Sequence, residues 1–390
     1  MEVMLHVLHV NNNLNTGGAE TYLVRLCNTQ VERGLRVSVV AGQPWTLRKY
    51  LHPKVEVYDV ALSQPDVRIR FPSTYLSNLI KGIPRLRKIV VNNGVSLIHT
   101  HLAQSAVAGW WVGRLHRVPT LHSIMHLESA AGPWHRLIFR LGLPQRIASG
   151  FMTFSEYATR ELKTIHGITE SKIHLARMGI NTKEFTPRPW AAQAIRQRYR
   201  IPPDSLLLGL TARLEPVKDV ALAIHTMASL KQMGIENVFL LVAGDGSQRE
   251  ELRRLASGLG VENLVLFLGR LDDTRELVCG LDVYFQTTKG PNLGIAALEA
   301  LACGVPLLIA ARGEDERLMA EDTLQDTSAG WVVEAKSELL ARQVLSLWHD
   351  SVTISKAKEA ARQVAEKYYD WDTHVGLVSE IYQKLALQRI

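Results

Sequence analysis

The 390-residue chain is predicted to be an α/β protein made of two doubly wound parallel-sheet domains. Short β-branched runs alternate with amphipathic stretches of helical period, and this alternation is typical of βαβ units with right-handed crossovers. The alternation pauses at a proline-rich stretch and then starts again. The chain is also longer than a single hydrophobic core normally serves, so two domains are expected.

The first half holds five short apolar runs separated by longer stretches with apolar residues at helical spacing. The predicted strands are residues 4–10, 37–41, 97–100, 120–122 and 151–154, and the predicted helices are 19–33, 75–92 and 105–115. The second half repeats the pattern, with strands at 206–211, 238–243, 265–269, 283–286 and 305–310 and helices at 217–233, 248–259, 274–279 and 295–302. Both halves therefore predict parallel sheets.

The proline-rich stretch 185–203, with a short helix at 191–199 inside it, is predicted to be the linker. Two further helices, 357–368 and 371–387, end the chain, and the last one needs another surface on which to bury its apolar face. The predicted organisation is an N-terminal domain over residues 1–185, a C-terminal domain over 186–368 and a terminal helical segment over 369–390.

Composition excludes several classes of protein. Hydrophobic residues make up 46% and charged residues 21%, as in ordinary globular proteins. The three cysteines have no paired or metal-ligand spacing, so neither a disulfide framework nor a zinc site is expected. The first ten residues are interrupted by His6 and His9 and do not resemble a signal peptide. We therefore expect a cytoplasmic protein without a membrane span.

The net charge of +7 is unevenly distributed. Residues 1–185 hold twice as many Lys and Arg as Asp and Glu, whereas the remainder is slightly acidic. This asymmetry predicts an anionic partner for the N-terminal domain, although a generic solubilising surface explains it equally well. Residues 75–88 and 134–140 mix cations with bulky apolar groups, which suits an anionic bilayer or two ordinary surface helices. Nucleic acid is disfavoured because no reading motif is present.

Ligands of doubly wound sheets bind at the carboxyl ends of the strands, so the turns that follow strands are informative. Gly17 and Gly18 open the first helix and allow backbone N–H groups to approach a phosphate, or simply form a tight turn. The dinucleotide-binding spacing of glycines is absent. Arg213 and Lys218 flank a later turn and can converge on one anion such as a diphosphate. The alternative is a surface pair neutralised by the neighbouring carboxylates Glu215 and Asp219.

Two further groups complete the candidate residues. Glu299 lies on an apolar helix, where a carboxylate is costly to bury unless it is paired or accepts hydrogen bonds from ligand hydroxyls. The N–H groups that begin this helix can bind a phosphate or sugar hydroxyl. His99, His101 and His122 follow two successive strands, and we expect them to line one crevice, although single histidines are usually structural.

Together these turns resemble the family-4 retaining glycosyltransferases of the GT-B fold, known in bacteria as group 1. The resemblance covers nearly the whole chain and rests on six ordered motifs: Gly-Gly-Ala-Glu at 17–20, His122, Arg-Leu-x-x-x-Lys at 213–218, Gly-Asp-Gly at 244–246, Phe-x-Gly at 267–269 and Glu-Ala-Leu-Ala-Cys-Gly-Val-Pro at 299–306. It implies two Rossmann-like domains that face each other across a cleft, with the C-terminal helix crossing back to the N-terminal domain.

The resemblance also implies roles for individual residues. Gly17 and Gly18 would adjoin the distal phosphate and sugar of the donor, and His122 would contact the transferred sugar. Arg213 and Lys218 would neutralise the diphosphate leaving group, and Glu299 would accept both ribose hydroxyls. The main chain at 267–270 would contact the edge of the nucleotide base, and His101 would lie on the acceptor side of the site. The remaining donor-binding residues implied are Gly244, Gly269, Arg270, Asn292, Leu293, Gly294 and Ile295.

One position departs from the family pattern. The family usually has a glutamate where this chain has Pro291, and that carboxylate normally holds hydroxyls of the donor sugar. Either Lys289 or Asn292 would then bind a different donor sugar, for example an acidic one, or the activity would be weak or lost. A solvated Lys289 is the simpler interpretation.

The implied activity is retaining transfer of a hexose or N-acetylhexosamine from a nucleotide sugar, expected to be UDP-linked, to an acceptor hydroxyl. The expected acceptor is a lipid-linked glycan of envelope polysaccharide or lipopolysaccharide synthesis, reached by a peripheral enzyme at the inner face of the cytoplasmic membrane. The alternatives are a soluble small-molecule acceptor, a sugar-nucleotide epimerase and a catalytically impaired nucleotide-sugar-binding subunit. No cofactor or metal is expected, because the Asp-Trp-Asp at 370–372 is interpreted as helix capping.

Overall fold

The chain folds into two compact units in a computed structural model that describes residues 5–15, 17–63, 72–124, 142–291, 294–325 and 327–387. Unit 1 comprises Met1–Arg177 and Thr373–Ile390, and unit 2 comprises Met178–Asp372. Each unit is an α/β Rossmann-like domain with its own parallel sheet. The predicted fold class is confirmed.

The sheet of unit 1 has seven parallel strands in the order β3-β2-β1-β4-β5-β6-β7. They are β1 His6–Asn13, β2 Arg36–Gly42, β3 Glu56–Asp59, β4 Leu97–His101, β5 Thr120–Ser123, β6 Gly150–Thr153 and β7 Ile173–Leu175. The described helices of this unit are α1 Gly18–Glu32, α2 Pro72–Asn92, α3 Ala103–His116, α4 Leu143–Ile147 and α5 Glu156–Thr164. The short strands β3 and β7 lie at the edges of the sheet and are not evident from the sequence, because their residues are only partly buried and show no apolar run.

The sheet of unit 2 has six parallel strands in the order β10-β9-β8-β11-β12-β13. They are β8 Leu206–Thr211, β9 Val238–Ala243, β10 Val265–Gly269, β11 Val283–Gln286, β12 Leu307–Ala311 and β13 Gly330–Glu334. The helices are α6 Ala191–Tyr199, α7 Val220–Gln232, α8 Arg249–Gly258, α9 Arg275–Cys279, α10 Ile295–Ala302, α11 Glu314–Leu324, α12 Ser337–Trp348 and α13 Ser351–Tyr368. The last helix, α14 Trp371–Leu387, lies almost entirely in unit 1.

The direction of winding reverses once in each sheet. In unit 1 the chain moves from β1 to β2 on one side and returns to β4 on the other, and in unit 2 it does the same around β8 and β11. Crevices at the carboxyl ends of such strand pairs are the usual ligand sites of doubly wound sheets. The topology therefore predicts ligand sites at the β1/β4 edge and the β8/β11 edge.

The compact units divide at Arg177, eight residues before the boundary predicted at Phe185. The proline-rich stretch belongs to unit 2, because Phe185, Ile195 and Ile201 are buried in its hydrophobic core. The stretch is therefore a packed part of unit 2, with its prolines at the surface. No helix in the described ranges is long and apolar enough to cross a membrane.

Candidate functional site

A cavity of about 70 Å³ opens at the β8/β11 edge of unit 2. It is lined by the end of β8 at Thr211 and Ala212, by Lys218, and by the first residues of α10 with Gly294 before them. Several of the predicted donor-binding residues are thus brought together at the point where the strand order reverses.

Two cations at this edge, Arg213 and Lys218, have no carboxylate partner among the residues that the structure describes. Arg213 is exposed and Lys218 is half-buried, and neither forms a salt bridge with any carboxylate that the structure describes. The neighbouring carboxylates are used elsewhere, since Glu215 accepts hydrogen bonds from the Ser247 hydroxyl at 2.8 Å and its backbone N–H at 3.2 Å. The Asp219 carboxylate pairs with Arg312 at 2.5 Å. The interpretation of Arg213 and Lys218 as a locally neutralised surface pair is therefore wrong.

The two cations also act on each other. Burial lowers the pKa of Lys218, and the nearby Arg213 guanidinium lowers it further. A half-buried ammonium next to a second cation favours an anion that would relieve both the desolvation and the repulsion. The two positive charges at this edge therefore favour the binding of an anion.

The helix α10 adds a second source of positive potential. Its N-cap is Gly294, which has no side chain to cap the first N–H groups and adopts a φ of 73° that suits glycine. The amino end of this helix therefore presents its dipole to the same cavity as Lys218. Glu299 is half-buried one turn further along α10 and raises the pKa of the buried Tyr284, although burial is the main cause of that rise, to about 12.

Gly244, directly after β9, and Gly269, the last residue of β10, bring the turns beside β8 close together. Gly244 has a φ of 140°, and a Cβ atom built there would lie 1.8 Å from the Ala212 carbonyl oxygen, so only glycine allows the two turns to approach. The Gly244 N–H donates to the carbonyl oxygen of Gly269 at 2.8 Å. Arg270 is exposed at the end of β10, two strands or about 10 Å from β8.

An ion-pair network holds the loop that follows β11. Arg312 donates to Asp219 and to Glu316, and the Glu316 carboxylate accepts the Gly290 N–H at 2.7 Å. Sequence reasoning did not find Arg312 or Glu316, although a polar segment directly after the buried strand β12 was a usable signal. Lys289 is 51% exposed and lies 3.6 Å from Asp219, which agrees with a solvated lysine. Pro291 is half-buried in this loop, and Asn292 and Leu293 lie outside the described residues.

The β1/β4 edge of unit 1 contains the first glycine turn. Gly17 is the N-cap of α1 in an extended conformation, and Gly18 begins the helix. The Glu20 carboxylate folds back over this turn, since a Cβ atom on Gly17 would lie 2.3 Å from its Oε2. Burial raises the pKa of Glu20. The absence of a side chain at position 17 thus makes room for a carboxylate at the helix start.

The histidines do not line one crevice, so that expectation is wrong. Thr100 is the register partner of His122, so these two side chains share a face of the sheet. His101 alternates with Thr100 along β4 and points to the opposite face. Both histidines are buried: His122 packs edge-on against Trp110, and His101 stacks on His9.

His101 belongs to a buried polar network that ties α1 and α14 to the sheet. His101 Nε2 lies 2.9 Å from His9 Nδ1, and His9 Nε2 lies 2.8 Å from Gln30 Oε1. Gln30 Nε2 lies 3.0 Å from the Tyr382 hydroxyl, which lies 2.6 Å from His99 Nδ1. His99 Nε2 then reaches the Ser123 hydroxyl at 2.7 Å. All six residues are almost fully buried.

The amide of Gln30 fixes the tautomers of the network. Its oxygen accepts from His9 Nε2, so His9 Nδ1 is an acceptor and His101 Nε2 must donate to it. Its nitrogen donates to the Tyr382 hydroxyl, which donates to His99 Nδ1. All three imidazoles are neutral, and burial lowers the pKa of each, that of His9 to about 4.

The nitrogens of His9, His99 and His101 lie within 4.8 Å of one another, which is compatible with a metal ion. The tautomer pattern, however, uses every ring nitrogen of the three for hydrogen bonds except Nδ1 of His101. The arrangement is a neutral hydrogen-bonded network in which, among the described residues, Nδ1 of His101 is buried without a partner. At the start of α14, Asp370 Oδ2 accepts the Asp372 N–H at 3.0 Å, which is the capping interaction predicted for the Asp-Trp-Asp segment.

Comparison with known proteins identifies the family. The family model of Glycosyltransferase Family 4 matches residues 16–184, and the model of Glycosyl transferases group 1 matches residues 191–365. The chain belongs to these glycosyltransferases. One curated relative of this glycosyltransferase is the putative glycosyltransferase EpsF of Bacillus subtilis, which is 26% identical over 96% of both chains. Another is a D-inositol 3-phosphate glycosyltransferase of Xylanimonas cellulosilytica, which is 25% identical over 96% of this chain and 93% of the relative.

Solved structures agree on the fold of the glycosyltransferase. Anabaena Alr3699/HepE in complex with UDP superposes with a TM-score of 0.80 at 20% identity, over 98% of this chain and 100% of that chain. A glycosyltransferase of Rickettsia africae gives a TM-score of 0.81 at 16% identity, over 99% of both chains. The glycosyltransferase therefore has the GT-B fold.

Proposed function

We propose that the protein is a retaining glycosyltransferase that transfers a hexose or N-acetylhexosamine from a UDP-sugar to an acceptor hydroxyl. The observation that carries this proposal is the pair Arg213 and Lys218, unpaired with any described carboxylate and located at the β8/β11 edge. The occurrence of UDP in the structure of Anabaena Alr3699/HepE supports the choice of nucleotide.

The two cations carry most of the proposed chemistry. As the sugar–phosphate bond breaks, negative charge accumulates on the diphosphate, and preorganised cations stabilise that charge more in the transition state than in the ground state. The N–H groups that begin α10 act in the same direction. The acceptor oxygen forms the new bond to the anomeric carbon, and the departing phosphate takes the proton of that hydroxyl. No protein nucleophile is required by this route.

The rest of the donor is assigned by position and by the family resemblance. Glu299 accepts hydrogen bonds from the ribose hydroxyls, and the main chain at 267–270 contacts the edge of the base. In unit 1, Gly17, Gly18 and His122 are assigned to the transferred sugar and His101 to the acceptor side. Both histidine side chains are buried within unit 1.

Replacing Glu299 tests the nucleotide site directly. UDP raises the melting temperature of the wild-type protein by mass action, and Glu299→Ala is expected to remove most of that rise. Loss of hydrogen bonds to a charged acceptor costs about 1.5–3 kcal/mol, which weakens UDP binding about 10- to 100-fold. The measurement is a thermal-shift titration with UDP and UDP-sugars.

The control for this experiment is Glu338→Ala, which removes one carboxylate from the first turn of α12. The control variant should retain the full UDP-dependent shift. Equal responses of Glu299→Ala and wild type would contradict the assignment of Glu299. The absence of any shift with UDP in wild type would contradict the proposed donor.

Removal of divalent metal is expected to leave turnover unchanged. Arg213 and Lys218 supply at the diphosphate the positive charge that a divalent cation would otherwise bring. The measurement is sugar transfer with and without excess EDTA. A loss of activity that Mg²⁺ or Mn²⁺ restores would contradict this part of the mechanism.

For the acceptor we propose a lipid-linked glycan at an anionic bilayer. The helices α2 and α3 expose Leu76, Ile80, Trp111 and Leu115, each more than half exposed. Neither helix contains an acidic residue, and Arg87 of α2 donates to His116 of α3 at 3.1 Å, so the two helices are in contact at these residues. An apolar surface bordered by cations matches the interface of an anionic membrane. The second basic segment, 134–140, lies outside the described residues.

Vesicle binding tests this surface. The wild-type protein should cosediment with vesicles containing phosphatidylglycerol and much less with phosphatidylcholine alone. The variant Ile80→Ser/Trp111→Ser should bind at least about 10-fold more weakly, because it removes two large apolar side chains from the interface. Val352→Ser, an equally exposed apolar residue of unit 2, is the control. Equal binding of both variants would contradict the proposed surface.

A soluble acceptor is the second candidate, favoured by relatives named D-inositol 3-phosphate glycosyltransferases. Under this alternative the protein transfers sugar to a small phosphorylated polyol without vesicles. The third alternative, an impaired nucleotide-sugar-binding subunit, rests on Pro291. It predicts that the protein binds UDP but neither hydrolyses any UDP-sugar nor transfers its sugar to any acceptor.

A further inference from the structure

An ion-pair cluster in unit 2 joins the segment that carries Lys218 to the loop that follows β11. Its members are Asp219, which precedes α7, Arg312, which follows β12, and Glu316, in the first turn of α11. Their side chains are 18%, 26% and 14% exposed, so solvent screens these ion pairs less than it screens ordinary surface pairs. The proposed transfer reaction gives none of these three residues a role.

Asp219 directly follows Lys218 and is unusual in two respects. It adopts the left-handed conformation, with a φ of 47°, which is uncommon for a residue other than glycine. It is also the N-cap of α7, where an aspartate usually accepts an N–H from the first turn, yet its carboxylate makes no such bond to this described turn. The carboxylate instead lies 2.5 Å from Nη2 of Arg312. The residue next to Lys218 is therefore held by a side chain from another strand end.

The Arg312 guanidinium binds the loop after β11 at the same time. Its Nη2 donates to the Thr287 carbonyl oxygen at 2.9 Å, and its Nη1 lies 3.2 Å from the Glu316 carboxylate. Glu316 in turn accepts the Gly290 N–H at 2.7 Å and the Arg312 main-chain N–H at 2.7 Å. A guanidinium holds several acceptors in one rigid geometry. The cluster thus fixes the loop at Thr287 and at Gly290.

The same loop contacts the Lys218 segment directly. The Thr287 hydroxyl donates to the Lys218 carbonyl oxygen at 2.7 Å, and the Lys289 N–H donates to the Val217 carbonyl oxygen at 2.8 Å. Thr287 and Lys218 both line the cavity at the β8/β11 edge. The main chain of Lys218 is therefore anchored on one side to the loop that the cluster fixes, and on the other to the aspartate that the cluster binds.

We infer that Arg312 is a positioning residue of the proposed glycosyl transfer, which fixes the Lys218 ammonium where it meets the diphosphate. This inference rests on the proposed function, because it requires Lys218 to act on a leaving group. The Arg312 guanidinium is itself engaged by Asp219 and Glu316, so it acts through the main chain next to Lys218. A misplacement of about 1 Å of a group that acts in the transition state costs about 10²-fold in rate.

The test is steady-state kinetics of Arg312→Gln with a UDP-sugar. Glutamine removes the charge and the fork of donors, so kcat should fall about 10²-fold. KM should change little, because the affected interaction stabilises mainly the transition state. Asp219→Asn removes the other charge of the pair and keeps a residue that tolerates the left-handed conformation, so it should show the same loss of kcat.

Arg317→Gln is the matched control. Arg317 lies on the same helix as Glu316 and pairs at the surface with Glu321 at 3.6 Å. This variant loses the same charge from the same helix, and it should retain the wild-type kcat. The UDP-dependent rise in melting temperature, measured for every variant, shows that each one is folded and binds the nucleotide.

A double-mutant cycle separates positioning from a general structural role. In Lys218→Met, Arg312→Gln should lower kcat further by no more than about 3-fold, because the charge that it positions is absent. A merely structural role would multiply the two losses. Multiplied losses, or a wild-type kcat in Arg312→Gln, would overturn the inference and leave the proposed function intact. A wild-type kcat in Lys218→Met would instead contradict the proposed leaving-group stabilisation, and this inference with it.

Discussion

Lys218→Met should lower kcat for sugar transfer by about 10²- to 10³-fold, the usual effect of removing one preorganised group that stabilises transition-state charge. Lys218 is half-buried next to Arg213, and its ammonium pairs with no carboxylate in the described part of the chain. Its charge is therefore held ready for an anionic leaving group. Arg213→Gln should lower kcat by a similar factor. The decrease in kcat of the double variant should be smaller than the product of the two single decreases, because the two cations stabilise the same charge.

The measurement is kcat and KM with a UDP-sugar, together with the affinity for UDP. Methionine retains the unbranched shape of the lysine side chain up to its Cε position and lacks only the ammonium, so most of the cavity wall is preserved. Lys336→Met makes the same change of charge at an exposed position of unit 2 and should leave kcat unaltered. A Lys218→Met enzyme with wild-type kcat would refute the proposed stabilisation of the leaving group.

The stability of unit 1 should fall steeply between pH 6.5 and about pH 4. The pKa of His9 and that of His374 are each lowered by burial from 6.5 to about 4. Above pH 6.5 both are neutral in the folded and unfolded chain, and the full stability is present. As the pH falls, the unfolded chain binds protons first, so each histidine costs on the order of 3 kcal/mol by pH 4. His99 and His101, whose pKa values are also lowered, act in the same direction.

The measurement is unfolding by urea at several pH values, followed in unit 1 by hydrogen exchange of its strands. His374 accepts from the Tyr22 hydroxyl at 2.9 Å and donates to the Arg177 carbonyl at 2.7 Å, and a glutamine can make both bonds. His374→Gln should therefore reduce the pH dependence. His116→Gln, at a histidine on the surface of α3, should not. A flat stability profile down to pH 4 would contradict the neutral histidine network.

Much of this protein follows from its sequence alone. The alternation of apolar runs predicts both parallel sheets, because a buried parallel strand needs a continuous β-branched run and the connecting helix needs one apolar face. The position of Arg213 and Lys218 after β8 predicts an anion site, because the carboxyl ends of parallel strands meet at one edge. These features are local in the chain, so local composition determines them.

Other features depend on contacts between distant residues, and only the tertiary structure decided them. Within the described ranges, Arg213 and Lys218 have no carboxylate partner, because Ser247 and Arg312, which follow other strands, bind Glu215 and Asp219. The histidines of β4 and β5 separate because the register pairs Thr100 with His122, and one residue of shift reverses the face. The proline-rich stretch became part of unit 2 because Phe185 and Ile195 find their apolar partners in its core, which no local pattern specifies.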